Sequence, residues 1–184
     1  MKISPFTGVM LDMETLAVAG APAILSIGAV RFRWEDGRCS EVDRLYANIQ
    51  KRDWNLPGLV VDGDTLGWWF HPDRTWQRAA LESSPVTLAM ALSDLAMFCW
   101  PQMTDGPPLE LWANGADWQW LQSVYAALRL DFPHDFRQTR DLRTLRKLCG
   151  VSAGPTKHHA LMDARAQVLT LEACLRVLGA KDAT

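Results

Sequence analysis

Asp12 and Glu14 stand one residue apart at the end of a short apolar run, Val9-Met10-Leu11-Asp12-Met13-Glu14-Thr15. In a β-strand alternate side chains share a face, so both carboxylates would point the same way. Carboxylates so placed repel each other unless a cation sits between them. Hard divalent ions such as Mg2+ take carboxylate oxygens, which makes the pair a candidate half-site for metal-assisted phosphoryl chemistry. Taken alone, the stretch is equally a strand that ends in a turn, and the other ligands must come from elsewhere in the chain. Two further acids are placed to supply them: Asp117, at a strand-to-helix junction, and Asp163, near the start of the last helix. His158 lies five residues before Asp163, and an imidazole has the pKa to take a proton from water near neutral pH. Each feature has an ordinary reading, since a helical Asp is normally solvated and a His before a helix is normally a loop residue.

The elements that must carry these groups follow from periodicity. Residues 23–34 alternate as a second strand, with Ile24, Ser26, Gly28, Val30, Phe32 and Trp34 on one side. Asp36-Gly37 supplies the positive φ of a tight hairpin turn, and residues 41–49 return as a third strand, so the chain opens with an antiparallel meander built on the Asp12 strand. Residues 51–57 suggest no regular element. Asp64 is placed to cap a helix over 65–70, a second short helix runs over 73–81, and Ser84-Pro85 is placed to open a third. In that helix Leu88, Leu92, Leu95 and Cys99 form one buried stripe. After a Gly106-Pro107-Pro108 loop, residues 109–113 read as a strand and 118–128 as a helix. Residues 139–149 read as another helix with Leu142, Leu145 and Leu148 inward, followed by a loop over 150–157. The last helix covers 160–178 and is ended by Gly179. Strands first, then strands alternating with helices, predict an α/β domain with a mixed sheet covered on its faces. Ligands collect at the carboxyl ends of strands in such sheets, which is where Asp12, Glu14 and Asp117 could converge.

A chain of 184 residues is one domain by size. Its formal net charge of -2 leaves no bulk positive field to hold nucleic acid, so an anionic polymer would be held locally, by metal ions and a few arginines. Arg137, Arg140, Arg143 and Arg146 recur every third residue, a stripe that could meet phosphates or simply face solvent. Adjacent Trp68 and Trp69 cannot both face inward on a helix, which leaves one to stack on a base or to cover a loop or partner. Cys39, Cys99, Cys149 and Cys174 lack metal-ligand spacing and read as thiols in a reducing cytoplasm. The first apolar run is broken by Asp12 and Glu14, so neither a secretory signal nor a membrane span is expected.

Asp12-x-Glu14-Thr15 near the start, an Asp in the middle, and His158-x-x-x-x-Asp163 near the end resemble the DnaQ-like, DEDDh-type 3'-5' exonucleases. Val60-Val61-Asp62-Gly63-Asp64-Thr65-Leu66-Gly67-Trp68-Trp69, Trp112-Ala113-Asn114-Gly115-Ala116 and Arg140-Asp141-Leu142-Arg143-Thr144-Leu145 look like the branch of phage DexA-type and exonuclease VIII-like proteins. A mycobacterial adenylate-specific RNase looks like a more distant relative. The resemblance runs from Val9 to about Leu178. It implies a ribonuclease-H-like fold, a three-stranded antiparallel meander plus parallel strands flanked by helices, making one exonuclease domain over 1–184. It also implies two ions, Mg2+ or Mn2+, held by Asp12, Glu14, Asp117 and Asp163, and a substrate that is a DNA or RNA 3' end; its members are often homodimers. Asp12, Glu14 and Asp163 are the implied catalytic acids and His158 the general base, favoured over His159 by the family's four-residue spacing. The middle motif departs from the pattern: aligned without gaps from Asn114, it puts Trp118 on the family's aromatic and Gln119 on its acid, with Asp117 two residues early. The rival expectations are a binding module whose second metal site has weakened, and an oligoribonuclease-like enzyme for very short RNAs.

Overall fold

A computed structural model of the chain describes residues 3–100 and 109–180, and the expected Gly106-Pro107-Pro108 loop lies outside them. The Asp12 strand, β1 (Phe6–Thr15), forms the middle of a five-stranded sheet. On one side it pairs antiparallel with β2 (Ile24–Glu35), which pairs antiparallel with β3 (Arg38–Asn48). On the other it pairs parallel with β4 (Glu110–Ala113), which pairs parallel with β5 (Thr139–Asp141). Asp36 at φ 50° and Gly37 at φ 77° close the β2–β3 hairpin, the two left-handed residues that a tight turn of matching twist requires. The expected mixed sheet is present, meander first and parallel strands after.

Side-chain alternation along β1 separates two of the apolar clusters, one on each face of the sheet. Val9, Leu11 and Met13 face α3 (Leu88–Phe98) and α4 (Asp117–Ala127) in one apolar cluster. Met10, on the other face, joins Val30, Phe32 and Trp34 of β2 under α5 (Leu142–Cys149) and α6 (Ala160–Ala180). Asp12 and Glu14 share the face of Met10, and so they look towards α6. That helix is fixed along the hairpin by polar ties. Arg165 clasps Glu41 through two hydrogen bonds of 3.0 and 2.8 Å, Glu172 accepts from the Cys39 backbone at 2.7 Å, and Arg176 donates to the Gly37 carbonyl at 2.7 Å.

Gly28 decides how close α6 comes. It pairs with Asp12 in the sheet, and a Cβ there would overlap the backbone of Ala160 and Leu161. The first turn of α6 therefore lies directly on the strand beside Asp12, an approach that only glycine permits.

Several boundaries differ from the sequence reading. Asp62 caps α1 (Gly63–Trp69), accepting from the Thr65 N–H and hydroxyl at 2.8 Å each, and Asp64 is exposed. Thr87, two residues after Pro85, caps α3. Ser84 sits at φ 47°, and Val86 bridges to Ile49 instead of starting the helix. Residues Lys51–Asn55 and Pro72–Arg74 form 3-10 turns, the second leading into α2 (Thr75–Leu81). The expected helix over 139–149 is a strand followed by a helix: Asp141 ends β5 and caps α5, a side-chain chemistry that hides a strand of three residues. Leu142 is buried, whereas Leu148 is 74% exposed. α6 runs through Gly179 to Ala180. No helix among the described residues is long and apolar enough to cross a membrane.

Candidate metal centre

β1, α4 and α6 bring four carboxyl groups together. One ligand oxygen each from Asp12, Glu14 and Asp163 lie within 4.8 Å of one another. Strand alternation supplies the first two, and Asp163 joins them because the first turn of α6 rests on Gly28. Asp163 is 5% exposed and also organises the loop before the helix. Its Oδ1 accepts from the Lys157 N–H at 2.7 Å, and its Oδ2 accepts from the Thr156 hydroxyl at 2.8 Å and the His159 N–H at 3.3 Å. A carboxylate offers about four lone-pair sites, so Asp163 has one left for a ligand.

Asp117, 7% exposed at the start of α4, faces the same group from the far end of β4. Burial pushes its carboxyl up to about 7, with the backbone N–H groups of Met13 and Asp117 itself and the Arg143 guanidinium opposing the shift. Burial, then Asp117 and Glu14, hold the Asp12 carboxyl well above the usual range, while a hydrogen bond from Gln167 works against them. Glu14 is pushed up to about 8 by burial and by the nearby Asp163 and Asp117. Asp12, Glu14 and Asp117 each hold a proton more tightly than an ordinary carboxyl, and with Asp163 beside them they form an all-oxygen donor set suited to hard divalent cations.

Gln119, where the ungapped alignment places the family's acid, is exposed on the outside of α4. The acid two residues early is the one that reaches the centre, carried by a junction at which Gly115 adopts φ 119°. The Arg143 guanidinium lies against Gly115, 2.6 Å from where a Cβ would stand, and donates to the Asn114 carbonyl at 3.1 Å.

The two histidines leave the loop in different directions. His159 stacks on Tyr46 of β3, ring centroids 4.5 Å apart at 22°. His158, at φ 53°, sets its ring edge-to-face against Trp68 at 4.6 Å, and Arg74 covers the Trp68 ring at 4.0 Å. Burial lowers the His158 pKa and Arg74 adds to the shift, while Asp163 opposes it. Trp69 is the inward member of the tryptophan pair, its indole N–H donating to the Thr15 carbonyl at 3.0 Å. Trp68 thus braces His158 and has one face taken by Arg74.

The arginine stripe is not one surface, because its members lie on a 3-10 turn, a strand and a helix. Arg137 pairs with Asp135 and Arg140 with Glu110; Arg143 and Arg146 face the Asn114 junction and the interior beside Asp12. Sequence reasoning placed Gly28 in a strand and Arg143 in a stripe without finding that one seats α6 and the other lies against Gly115, and it did not find the support that Gln167 gives Asp12. A glycine in mid-strand is a recognised sign of close backbone approach and was the one signal available for the first of these.

Residues 7–175 match a family model described as the 3'-5' exoribonuclease Rv2179c-like domain. No curated protein matches the sequence. Among solved structures, the chain is similar to cell-death related nuclease 4 (TM-score 0.55, 9% identity), covering 90% of this chain and 62% of that one. It is similar to the nuclease domain of 3'hExo, a DEDDh family member bound to rAMP (TM-score 0.57, 11% identity, 96% and 92% covered). It is also similar to S. pombe Pop2p in a form with Mg2+ and Mn2+ bound (TM-score 0.53, 11% identity, 89% and 81% covered). The chain thus spans less than two thirds of the first of these proteins. At such identities the likeness establishes the fold, a ribonuclease-H-like mixed sheet flanked by helices.

Proposed function

We propose that this chain, which belongs to the Rv2179c-like 3'-5' exoribonuclease domain family, is a metal-dependent 3'-5' exonuclease of the DEDDh type, with residues 1–184 forming a single exonuclease domain. The observation that carries the reading is the convergence of Asp12, Glu14 and Asp163 within 4.8 Å, with Asp117 near enough to raise the proton affinity of both Asp12 and Glu14. The donors are all carboxylate oxygens, the ligand type of Mg2+ and Mn2+. Asp12, Glu14 and Asp163 would hold one ion, and Asp12 with Asp117 a second. Bound there, the ions would supply charge neutralisation at the phosphate and a nucleophile at neutral pH.

His158 has the general-base role. Its lowered pKa keeps the imidazole neutral and able to accept a proton at pH 7, and the Trp68 ring limits how far it can turn. The His159 ring is taken up by Tyr46. The family description favours RNA among the substrates. The phage DexA and exonuclease VIII-like branch remains our finer placement, on the strength of the Asn114-Gly115-Ala116 and Arg140-Asp141-Leu142-Arg143 segments. Against a degenerate binding module stands the buried Asp117, which offers the ionisable carboxyl that Gln119 lacks.

The test uses 5'-labelled single-stranded RNA, single-stranded DNA and duplex DNA with Mn2+ or EDTA. A ladder shortening from the 3' end in Mn2+, absent in EDTA and absent for Asp12→Asn, is expected. Binding of these strands without shortening in either Mn2+ or Mg2+ would leave the binding module as the better account.

A further inference from the structure

A polar cavity of about 110 Å3 lies behind Asp12, between α5, α6 and the loop carrying Gly154. Three residues of its wall carry buried polar atoms without a partner: Asn114 Oδ1, Arg146 Nε and Gln167 Oε1. Buried polar atoms in native proteins are nearly always satisfied, by protein or by ordered water. Two acceptors and one donor in one wall call for a species that both donates and accepts, and water does both. The space is large enough to admit water, which needs only about 10–15 Å3 of this measure per molecule.

The other end of the Gln167 amide makes the connection to the acids. Its Nε2 donates to Asp12 Oδ1 at 2.6 Å. Gln167 lies one turn after Asp163 on α6, so a single helix face presents an acid and the amide that steadies another. We propose that the cavity is a permanent hydration site through which Asn114 and Arg146 hold the Gln167 amide, and that Gln167 in turn fixes the Asp12 carboxylate for metal. This rests on the reading of Asp12 as a metal ligand. Gln167 is a positioning residue here: it acts through Asp12.

The experiment is a Mn2+ titration followed by electron paramagnetic resonance, which counts free ion without substrate or turnover. Gln167→Met keeps the length of the side chain and removes the amide. It should weaken Mn2+ binding about tenfold or more, the usual effect of removing an outer partner of a metal ligand, with the melting temperature in EDTA unchanged. Arg146→Met, acting only through water, should weaken it about threefold. Wild-type affinity in Gln167→Met overturns the proposal, as does a lowered melting temperature with Mn2+ affinity intact. If Gln167→Met does not fold, the Arg146→Met value decides, and wild-type affinity there overturns the proposal equally. A wild type that binds no Mn2+ would bring down the metal reading itself, which separates the two failures.

Discussion

Asp12 and Glu14 ride on a strand and Asp163 on the first turn of a 21-residue helix, whereas Asp117 and His158 hang on joints where the backbone passes through left-handed torsions, Gly115 at φ 119° and His158 at φ 53°. The first set is placed by period and packing. Once β1 is a strand its alternate side chains align, and once α6 lies on Gly28 its Asp163 arrives beside them. The second set is placed by single residues whose torsions nothing upstream dictates. Regular elements deliver a side chain with little local freedom; joints deliver one wherever the turn happens to aim.

The largest effect should follow from breaking the packing that serves the first set. Gly28→Ala places a methyl group in the backbone of Ala160 and Leu161, and neither atom belongs to a flexible side chain. α6 must lift, carrying Asp163 away from Asp12. We expect exonuclease activity to fall at least a thousandfold and stability by about 3 kcal/mol, the upper end of overpacking costs. Chemical denaturation and a 3'-shortening assay check both, and a variant that retains a tenth of the activity would show that Asp163 reaches the centre without that contact.

A hundredfold fall is expected from His158→Ala in the second set, in kcat with KM little changed, since general-base catalysis is worth about that much. The wild-type rate should rise with pH through a pKa below the ordinary histidine value, because burial and Arg74 depress it. If His159→Ala does the damage instead, the left-handed turn at His158 aims the wrong ring.

How much of this was legible follows the same division. The meander, the buried stripe Leu88, Leu92, Leu95 and Cys99, and the shared face of Asp12 and Glu14 came from periodicity alone, because period is what strands and helices impose on sequence. Asp163 was legible only as part of a family pattern, since an acid in a helix has no periodic signature. The middle acid was ambiguous: an ungapped alignment led to Gln119, and the torsion at Gly115 that brings in Asp117 leaves no mark beyond the glycine. β5 was missed because three residues carry no alternation, and Asp141 as a cap reads as helix. The Thr87 cap was missed because Ser84-Pro85 offered the same chemistry three residues early. Gln167 is invisible without the fold, as its partner is 155 residues away.

A roughly tenfold or greater loss should separate the two candidates at that ambiguous joint. Asp117→Asn removes a buried carboxylate that faces Asp12 and Glu14, while Gln119→Asp adds an acid on an exposed surface and should change the rate by less than about twofold. Raised activity and a lower Mg2+ requirement in Gln119→Asp would mean that the junction turns differently in solution, and that the contrast between period and torsion is drawn in the wrong place.

The smallest effect is on stability, and it asks whether the two sets meet at all. Glu14 is pushed up to about 8 and Asp117 up to about 7, each by burial first. The unfolded chain releases these protons near pH 4, the folded chain only near pH 7 to 8. Over that window the folded state holds more protons, so stability falls as pH rises and levels off above about 8. In EDTA the protein should therefore melt lower at pH 8 than at pH 5.5. One pKa unit corresponds to about 1.4 kcal/mol, and mutual relief among the acids leaves an expected loss of about 2 kcal/mol, or roughly 4–8 °C for a domain of this size. Mg2+ at pH 8 should restore the difference by replacing the missing protons, and Glu14→Gln should flatten the slope because a neutral amide has nothing to titrate. Had Asp117 stood apart from Asp12 and Glu14, each carboxyl would carry only its own desolvation, and Glu14→Gln would leave the Asp117 share of the slope untouched. Coupling predicts instead that removing the Glu14 charge also lowers the pKa of Asp117, the reciprocal of the effect of Asp117 on Glu14, so that the slope falls by more than one group's share. A Glu14→Gln profile that loses only the Glu14 share and leaves the Asp117 share intact would show that the acids of the strand and the acid of the joint do not share one buried site.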